Sequence, residues 1–389
     1  MEATAANQTF DVIIIGAGSV GTPTALFLAQ AGARVLVIDQ LASVGQASNK
    51  HAIGGIRATH SEPAKIYLCS RSLEHFSQWQ DKYGDDIEWS KGGYSFVAYR
   101  QQEKDTLLGL LKIQQAMGLN IAWWDRDDLL EIAPDLNPDG LMGGTYSPND
   151  GNASPLKSVF AFFKEAQKAG AVFHFHEKVH EICVEKGTIA GVKTDKDAYQ
   201  SKILINAAGG WVAELSTLVA IKVPVRPDTH EAGITEPVKK MFEPMIVDIR
   251  PRTGSSNFYF YQHPTGKIIF CITPNPQIWG NRTVATSQFL PLAARRLIEI
   301  MPKMSNIRVR RTWRGTYPMT PDGSPILGKV DNLEGYILAV GMCGQGFMLG
   351  PGVGEILTHL VLKNLSEQET NVLKTLSLKR EFSAIEKLK

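Results

Sequence analysis

The run Asp11-Val12-Ile13-Ile14-Ile15-Gly16-Ala17-Gly18-Ser19-Val20-Gly21 constrains the fold more than any other part of the chain. Its β-branched residues follow one another without polar alternation, which reads as a strand buried on both faces. The glycines then turn the chain into a helix over 19–32, and Arg34-Val35-Leu36-Val37-Ile38-Asp39 returns as a second strand. In a βαβ unit of this kind Gly16 permits the tight turn and Gly18 lets a pyrophosphate approach the backbone at the positive helix end. Gly21 lets helix and strand pack closely. Asp39, at the end of the second strand, is placed to accept hydrogen bonds from a ribose diol. The unit predicts a bound adenine dinucleotide; the alternative is a glycine-rich turn without a ligand.

At 389 residues the chain exceeds the size at which one core stops growing, so two domains are expected. The formal charge is only +2 and no basic block occurs, which gives no ground to expect nucleic acid. Cys69, Cys183, Cys271 and Cys343 lie far apart without metal-ligand spacing, so the reading is reduced thiols, no zinc and no structural disulfide. The residues before Asp11 lack the apolar core of a signal peptide, and no later run reaches about 18 apolar residues. A soluble, cytoplasmic protein is expected, with no membrane span.

Along the chain, the Gly-, Ser- and Asn-rich loop 43–57 is expected to touch the ligand and to lead into a helix over 62–83. Tyr67, Leu68, Phe76 and Trp79 recur in that helix as core packing. A strand at 93–99 and a helix at 101–118 precede a stretch marked by Pro134, Pro138 and Pro148, read as an inserted element or a domain crossing. The βαβ pattern returns with a helix over 154–170 and a strand over 171–175. Strand 202–206 ends in Ala207-Ala208-Gly209-Gly210, where small residues let a ligand touch backbone, and a helix is expected over 211–219. Alternating strands at 246–249, 258–261 and 267–272 predict an antiparallel sheet, followed by a helix at 290–301. Residues 311–328 cross back to a third buried strand, 335–341, and a final helix is expected to begin near Gly350 and Pro351. The fold class is therefore α/β plus antiparallel β. A discontinuous Rossmann-like domain (1–92, 151–222 and 311–389) carries the nucleotide, and a second antiparallel-sheet domain (93–150 and 223–310) faces the substrate.

The fingerprint, the strand end at 206–210 and the glycine-rich turn at 341–352 combine with Thr320-Pro321-Asp322-Gly323-Ser324-Pro325-Ile326-Leu327-Gly328 and Gly344-Gln345-Gly346-Phe347-Met348. Together they resemble the D-amino-acid oxidase superfamily of FAD-dependent oxidoreductases over almost the whole chain. Within it the likeness is greatest to the branch of sarcosine oxidase, glycine oxidase and the β subunit of L-proline dehydrogenase. The resemblance implies FAD as cofactor, held by Gly16, Gly18, Ser19, Val20, Gly21, Asp39, Gln40, Gly54, Gly55, Ile56, Arg57 and Val179. It extends that set to Ala207, Ala208, Gly209, Trp211, Gly315, Gly341, Gly344, Gln345, Gly346, Phe347 and Met348. The implied reaction takes hydride from the α-carbon of a small amino acid to flavin N5, leaving an imine that hydrolyses. Arg57 stands where this family places an arginine beside the flavin ring; the alternative is a loop-anchoring ion pair. The final helix would point its N-terminus at the flavin pyrimidine and favour its reduced form.

Departures from the pattern refine these expectations. Gly315 replaces the cysteine that binds FAD covalently in monomeric sarcosine oxidase, so noncovalent FAD is expected. Met348 replaces a carboxylate-binding lysine. Tyr317 matches an active-site tyrosine and is read either as a substrate-site residue or as a core tyrosine. His60 aligns with a carboxylate-binding arginine or is a surface histidine of a helix-start loop. Arg314 is either a new carboxylate clamp or a solvated charge. With Arg57 and Gln345 these make the substrate-site candidates, and no metal is expected. Asn152-Ala153-Ser154-Pro155 offers no histidine for covalent FMN, while noncovalent FMN at a subunit interface stays open. Ile269 stands where an oxygen-activating lysine is expected, with Lys267 two residues away on the same strand face. That favours a dehydrogenase serving a partner subunit or another acceptor. A flavin-bearing subunit acting on another amine or a hydroxy acid, or a noncatalytic flavin scaffold, is the alternative function.

Overall fold

The computed structural model describes residues 8–383 and 385–388. Strand Val12–Ile15 lies between Leu204–Asn206 and Val35–Ile38, with Leu333–Val340 and Val172–His174 outside them, all parallel. Alternate residues enter different cores. Val12, Ile14, Val35, Val37, Ile205 and Ile337 face one side, and Ile13, Ile15, Leu36, Ile38, Leu204 and Leu338 the other. Both faces are covered, which is why the sequence shows no alternation; each fully buried Ile contributes about 1.5–3 kcal/mol.

Helices Gly21–Gln30, Pro63–Ser77, Pro155–Lys168 and Gly346–Leu362 cover the first face. The helix expected over 62–83 is two, Pro63–Ser77 and Trp79–Tyr83, with the Glu62 side chain capping the first at the amide of Ala64. The final helix starts at Gly346 rather than near Gly350, and Pro351 lies inside it. Its glycines serve packing: a Cβ on Gly350 would lie 1.9 Å from the carbonyl oxygen of Ser19, and one on Gly352 2.0 Å from that of Leu68. The other sheet face packs against three antiparallel strands, Val179–Glu185, Thr188–Thr194 and Ala198–Gln200, and the helix Val212–Thr217.

The second sheet has eight strands in the order Val309–Met319, Arg226–Pro237, Lys267–Asn275, Gly254–Gln262, Met245–Asp248, Tyr94–Ala98, Gly143–Ser147 and Ala122–Trp124. It is antiparallel except where Met245–Asp248 pairs with Tyr94–Ala98 in parallel. The long strands Arg226–Pro237 and Val309–Met319 escape sequence detection because charged and small residues break their apolar alternation. They pair from Arg226 opposite Met319 to Thr235 opposite Val309, so the chain leaves this sheet after Met319 rather than at residue 311. One face carries Val97, Ile246, Phe258, Phe260, Ile268 and Phe270 against helix Phe289–Ile300. The other carries Tyr94, Phe96, Met245, Val247, Tyr261 and Ile269, with Tyr259 packed beside them. This second face meets the nucleotide side of the molecule, where Tyr261 donates from its hydroxyl to the Ile53 carbonyl at 2.6 Å.

Among the described residues no helix is long and apolar enough to cross a membrane, no His, Cys, Asp and Glu grouping could hold a metal, and none of the four cysteines is in a disulfide.

Candidate dinucleotide and substrate site

A cavity of about 330 Å³ opens at the C-terminal ends of the parallel strands. Gly16, Gly18, Ser19, Val20, Asp39, Gln40, Val179, Ala207, Ala208, Gly209 and Trp211 line it, and Gly315, Tyr317, Gly344, Gly346 and Phe347 form its other side. At Gly16 the backbone has φ +110° and a Cβ would lie 2.5 Å from the Ala207 carbonyl oxygen, so only glycine makes this turn. At Gly18 no atom lies within 4 Å of a Cβ position, leaving room for a ligand against the backbone. Gly21 is different. It lies outside the lining, and a Cβ there would be 1.9 Å from the Gly16 carbonyl oxygen, so it closes helix onto strand.

Two helices begin at this cavity, Gly21–Gln30 and Gly346–Leu362, and neither has a side-chain cap or an acidic residue in its first turn. Their free amides and positive dipole ends suit an anionic ligand. Asp39 accepts from the Ala17 and Leu41 amides at 2.8 Å each, one bond per carboxylate oxygen, which leaves lone pairs for a diol. Burial raises its pKa against those two hydrogen bonds. Glycine cradle, uncapped helix starts and acid together fit an adenine dinucleotide such as FAD. The loop 43–57 reaches the cavity through residues 45–49, 51 and 52. His51, which sequence reasoning missed, sits where a Cβ on Gly315 would lie 2.5 Å from its own Cβ. Gly315 therefore makes room for this imidazole.

On the second sheet Tyr317 continues the cavity wall. Its ring lies against Gly344, where a Cβ would be 2.1 Å from Cε2, and its hydroxyl is 2.9 Å from the Tyr259 hydroxyl. The His230 ring stacks on Tyr317 with centroids 3.8 Å apart, and His230 Nε2 is 3.1 Å from Asp228 Oδ2. Burial lowers the His230 pKa against the Asp228 bond, and raises those of Tyr317 and Tyr259 well above a phenol's ordinary value. Cys271 stands opposite Tyr259 on the neighbouring strand, and burial pushes its thiol up to about 12. Buried His230 Nδ1 has no partner. The result is a neutral, oriented imidazole beside a pair of neutral phenols. Of this group only Tyr317 was singled out from sequence; the spacing of Asp228 and His230, which puts both on one strand face, was the available signal.

Other predicted site residues lie elsewhere. Arg314 turns away from the wall that Gly315 and Tyr317 form, pairing with Glu231 at 3.9 Å and donating to the Val284 carbonyl at 3.3 Å. Gly54, Gly55 and Ile56 are outside the cavity lining. Gly55 is glycine because the Tyr94 hydroxyl would be 2.0 Å from a Cβ, and Ile56 is core. Met348 packs against the same core as Phe347, and Gly341, with φ +70°, abuts Thr320. Gln345 precedes the final helix, its Oε1 buried without a partner. Arg57 and His60 also lie outside the lining, in a buried cell with Lys65, Cys69, Asp150 and Glu386. Arg57 donates to the Thr59 and Leu388 carbonyls and meets His60 Nδ1 at 3.2 Å, while His60 Nε2 meets Cys69 Sγ at 3.3 Å. Burial, then the charges of Arg57 and Lys65, hold His60 well below its ordinary pKa.

The chain is 28% identical to L-proline dehydrogenase from P. horikoshii, whose crystal structure superposes with a TM-score of 0.89 over 96% of this chain and 98% of that one. It is 23% identical to hydrogen cyanide synthase subunit HcnC of Pseudomonas aeruginosa, covering 91% of this chain and 93% of that protein. It is also 23% identical to 4-methylaminobutanoate oxidase (formaldehyde-forming) of Paenarthrobacter nicotinovorans, over 90% of this chain. The chain spans only 43% of that relative's length. A family model described as FAD dependent oxidoreductase matches residues 11–360, the span that contains the cavity, Asp39 and Tyr317. The chain belongs to the FAD dependent oxidoreductase family.

Proposed function

We propose that this chain binds FAD noncovalently and oxidises the C–N bond of a small amino acid such as sarcosine, proline or glycine, delivering the electrons to an acceptor other than oxygen. The observation that carries this reading is Tyr317, which lines the dinucleotide cavity and through its hydroxyl joins Tyr259 of the second sheet. Ligand backbone contacts and an oriented acid–base group thus meet at one seam. FAD in the cavity supplies the hydride acceptor. The chain's own work is to seat the amino acid under the second sheet and to take the proton its nitrogen must lose. His230, kept neutral by burial, with Nε2 on Asp228 and Nδ1 without a partner, is the group assigned to accept it.

The names of the similar proteins support a substrate with a C–N bond, and the word subunit in one of them supports a partner chain as acceptor. Gly315 offers no thiol for a thioether. Ile269 faces the seam without a charge, while Lys267 pairs with Pro237 at the strand's beginning. A cation that would stabilise developing superoxide is therefore missing from that position.

The test is anaerobic mixing of the flavin-loaded chain with sarcosine, L-proline or glycine. One of them should bleach the flavin; bound FAD that none of them reduces would overturn the reading in favour of a noncatalytic carrier. Aeration should then reoxidise the flavin slowly, with rescue by an artificial dye, whereas reoxidation as fast as reduction would mark an oxidase. Acid precipitation should release the flavin into the supernatant, and its mass shows whether FMN accompanies FAD.

A further inference from the structure

The segment 385–388 enters the space between the two sheets. Glu386 is 3% exposed and Leu388 1%, although Ile385 just before them is 63% exposed. Glu386 Oε1 accepts from the Ser61 amide at 2.9 Å, the Ser61 hydroxyl at 2.7 Å and the Leu388 amide at 3.0 Å. Its Oε2 lies 3.0 Å from Lys65 Nζ but has no aligned hydrogen bond. Lys65 is fully buried, and its other contact is the Gly323 carbonyl at 3.3 Å. Leu388 gives its carbonyl to Arg57 and its side chain to the cluster of Tyr94, Phe96, Met245, Val247, Tyr261 and Ile269, beside Tyr259. Upstream the segment is tied down by Arg380, which pairs with Asp322 at 2.7 Å and donates to the Ser324 carbonyl at 2.8 Å.

We propose that residues 385–388 are a displaceable occupant of a carboxylate site: Lys65, Arg57 and the Ser61 amide and hydroxyl receive the carboxylate of a small amino acid when Glu386 leaves. The space vacated by Leu388 takes the amino acid's apolar side chain or ring. A buried lysine needs a counter-ion, and Glu386 supplies it from a short segment outside any helix or strand. The unaligned Oε2 means that a free carboxylate, unconstrained by a chain, can be seated better than the tethered one. The place is suitable as well, because Leu388 shares its cluster with Tyr259, whose hydroxyl meets Tyr317 at the cavity wall. The assignment of this carboxylate to the substrate rests on the reading proposed above. The affinity of the cell for a carboxylate does not.

The experiment uses the full, flavin-loaded chain, with acetate as probe and acetamide as its uncharged control. Hydrogen exchange at the Lys387 and Leu388 amides, which bond Ser61 Oγ and Glu386 Oε1, should quicken at least about tenfold with saturating acetate and not with acetamide. Unchanged or slower exchange overturns the proposal. Removing the internal competitor by Glu386→Gln should tighten acetate binding about tenfold, and Lys65→Met should abolish it. Should the first variant fail to fold, Leu388→Ala leaves the ion pair in place and should still tighten acetate about threefold. Acetate affinity unaltered in the folded variants overturns the site. Because acetate is not oxidised, these results stand apart from amino-acid turnover: displacement without turnover removes only the proposed function, and turnover without displacement removes only this site.

Discussion

Gly16, Gly18 and Asp39 reach the cavity from one continuous run of residues 12–39, whereas Tyr317 reaches it from the second sheet, backed by Tyr259 and His230 on two other strands far apart in the chain. The first wall is made of backbone: a turn that only glycine allows, two uncapped helix starts and one carboxylate that also fastens the turn through the Ala17 amide. The second is made of side chains whose meeting depends on register. A backbone wall tolerates no added atom where it closes on itself and binds whatever suits its dipoles. A side-chain wall tolerates substitution structurally and loses chemistry instead.

The largest effect should separate two glycines three residues apart in the run that carries the first wall. Gly21→Ala drives a Cβ into the Gly16 carbonyl and should cost about 3 kcal/mol or more, seen in denaturant unfolding of the FAD-free chain. Gly18→Ala meets nothing and should leave that unfolding curve in place while weakening FAD about tenfold, since the methyl stands where a pyrophosphate would approach. Equal destabilisation by both would make Gly18 part of the turn's own packing rather than part of a cradle. Asp39→Ala should follow, losing on the order of 1.5–3 kcal/mol of FAD affinity per charge-assisted bond, with some loss of stability because the Ala17 and Leu41 amides lose their acceptor.

For the second wall the expectation reverses. Tyr317→Phe removes the hydroxyl pair with Tyr259 and should lower amino-acid turnover by about 10- to 100-fold while FAD affinity stays put. Loss of FAD instead would make Tyr317 a core residue. His230→Gln should remove the acid limb of the kcat/KM profile. The folded pKa of His230 is lowered, so the imidazole is neutral down to a pH below its ordinary value and the rate should fall only under that. A limb that persists in the variant would assign the proton to another group.

How much of this was legible follows from the same contrast. The βαβ unit could be read because each of its demands is local: β-branched residues for a doubly buried strand, Gly16 for φ +110°, Asp39 at a strand end. The strands 226–237 and 309–319 could not, because Asp228, His230, Glu231 and Arg314 occupy positions where alternation would put apolar residues, and each pairs with another of them or with neighbouring backbone inside the sheet. Arg57 and His60 stand next to the glycines that suggested a flavin contact, yet their surroundings include Glu386, more than 300 residues later in the sequence. No local pattern announces that meeting. Gly55 shows a related ambiguity: a glycine needed for close packing against Tyr94 looks, in sequence, like one needed for a ligand.

The smallest effect lies where the two styles of contact share a seam, between helices Pro63–Ser77 and Gly346–Leu362. Backbone closeness at Gly352 is joined there by a side-chain clasp. Arg71 Nε and Nη2 donate to Glu355 Oε2 and Oε1 at 2.9 and 2.7 Å, and His75 Nε2 lies 3.4 Å from Oε2. Burial would raise the Glu355 pKa, but the nearby His75 and the two bonds from Arg71 outweigh that and hold it at about 2, against an ordinary 4.5. Because the folded value is the lower, the carboxylate stabilises the fold fully above pH 4.5 and loses that contribution as pH falls from 4.5 toward 2. Arg71 is about a third exposed, so water screens the pair and Glu355→Gln should cost only about 1 kcal/mol at pH 7. Measured by denaturant unfolding of the FAD-free chain, the gap between parent and variant should narrow as pH is lowered below 4.5. A gap that stays constant through that range would mean that the helices are held by backbone fit alone, and that side chains add nothing at this seam.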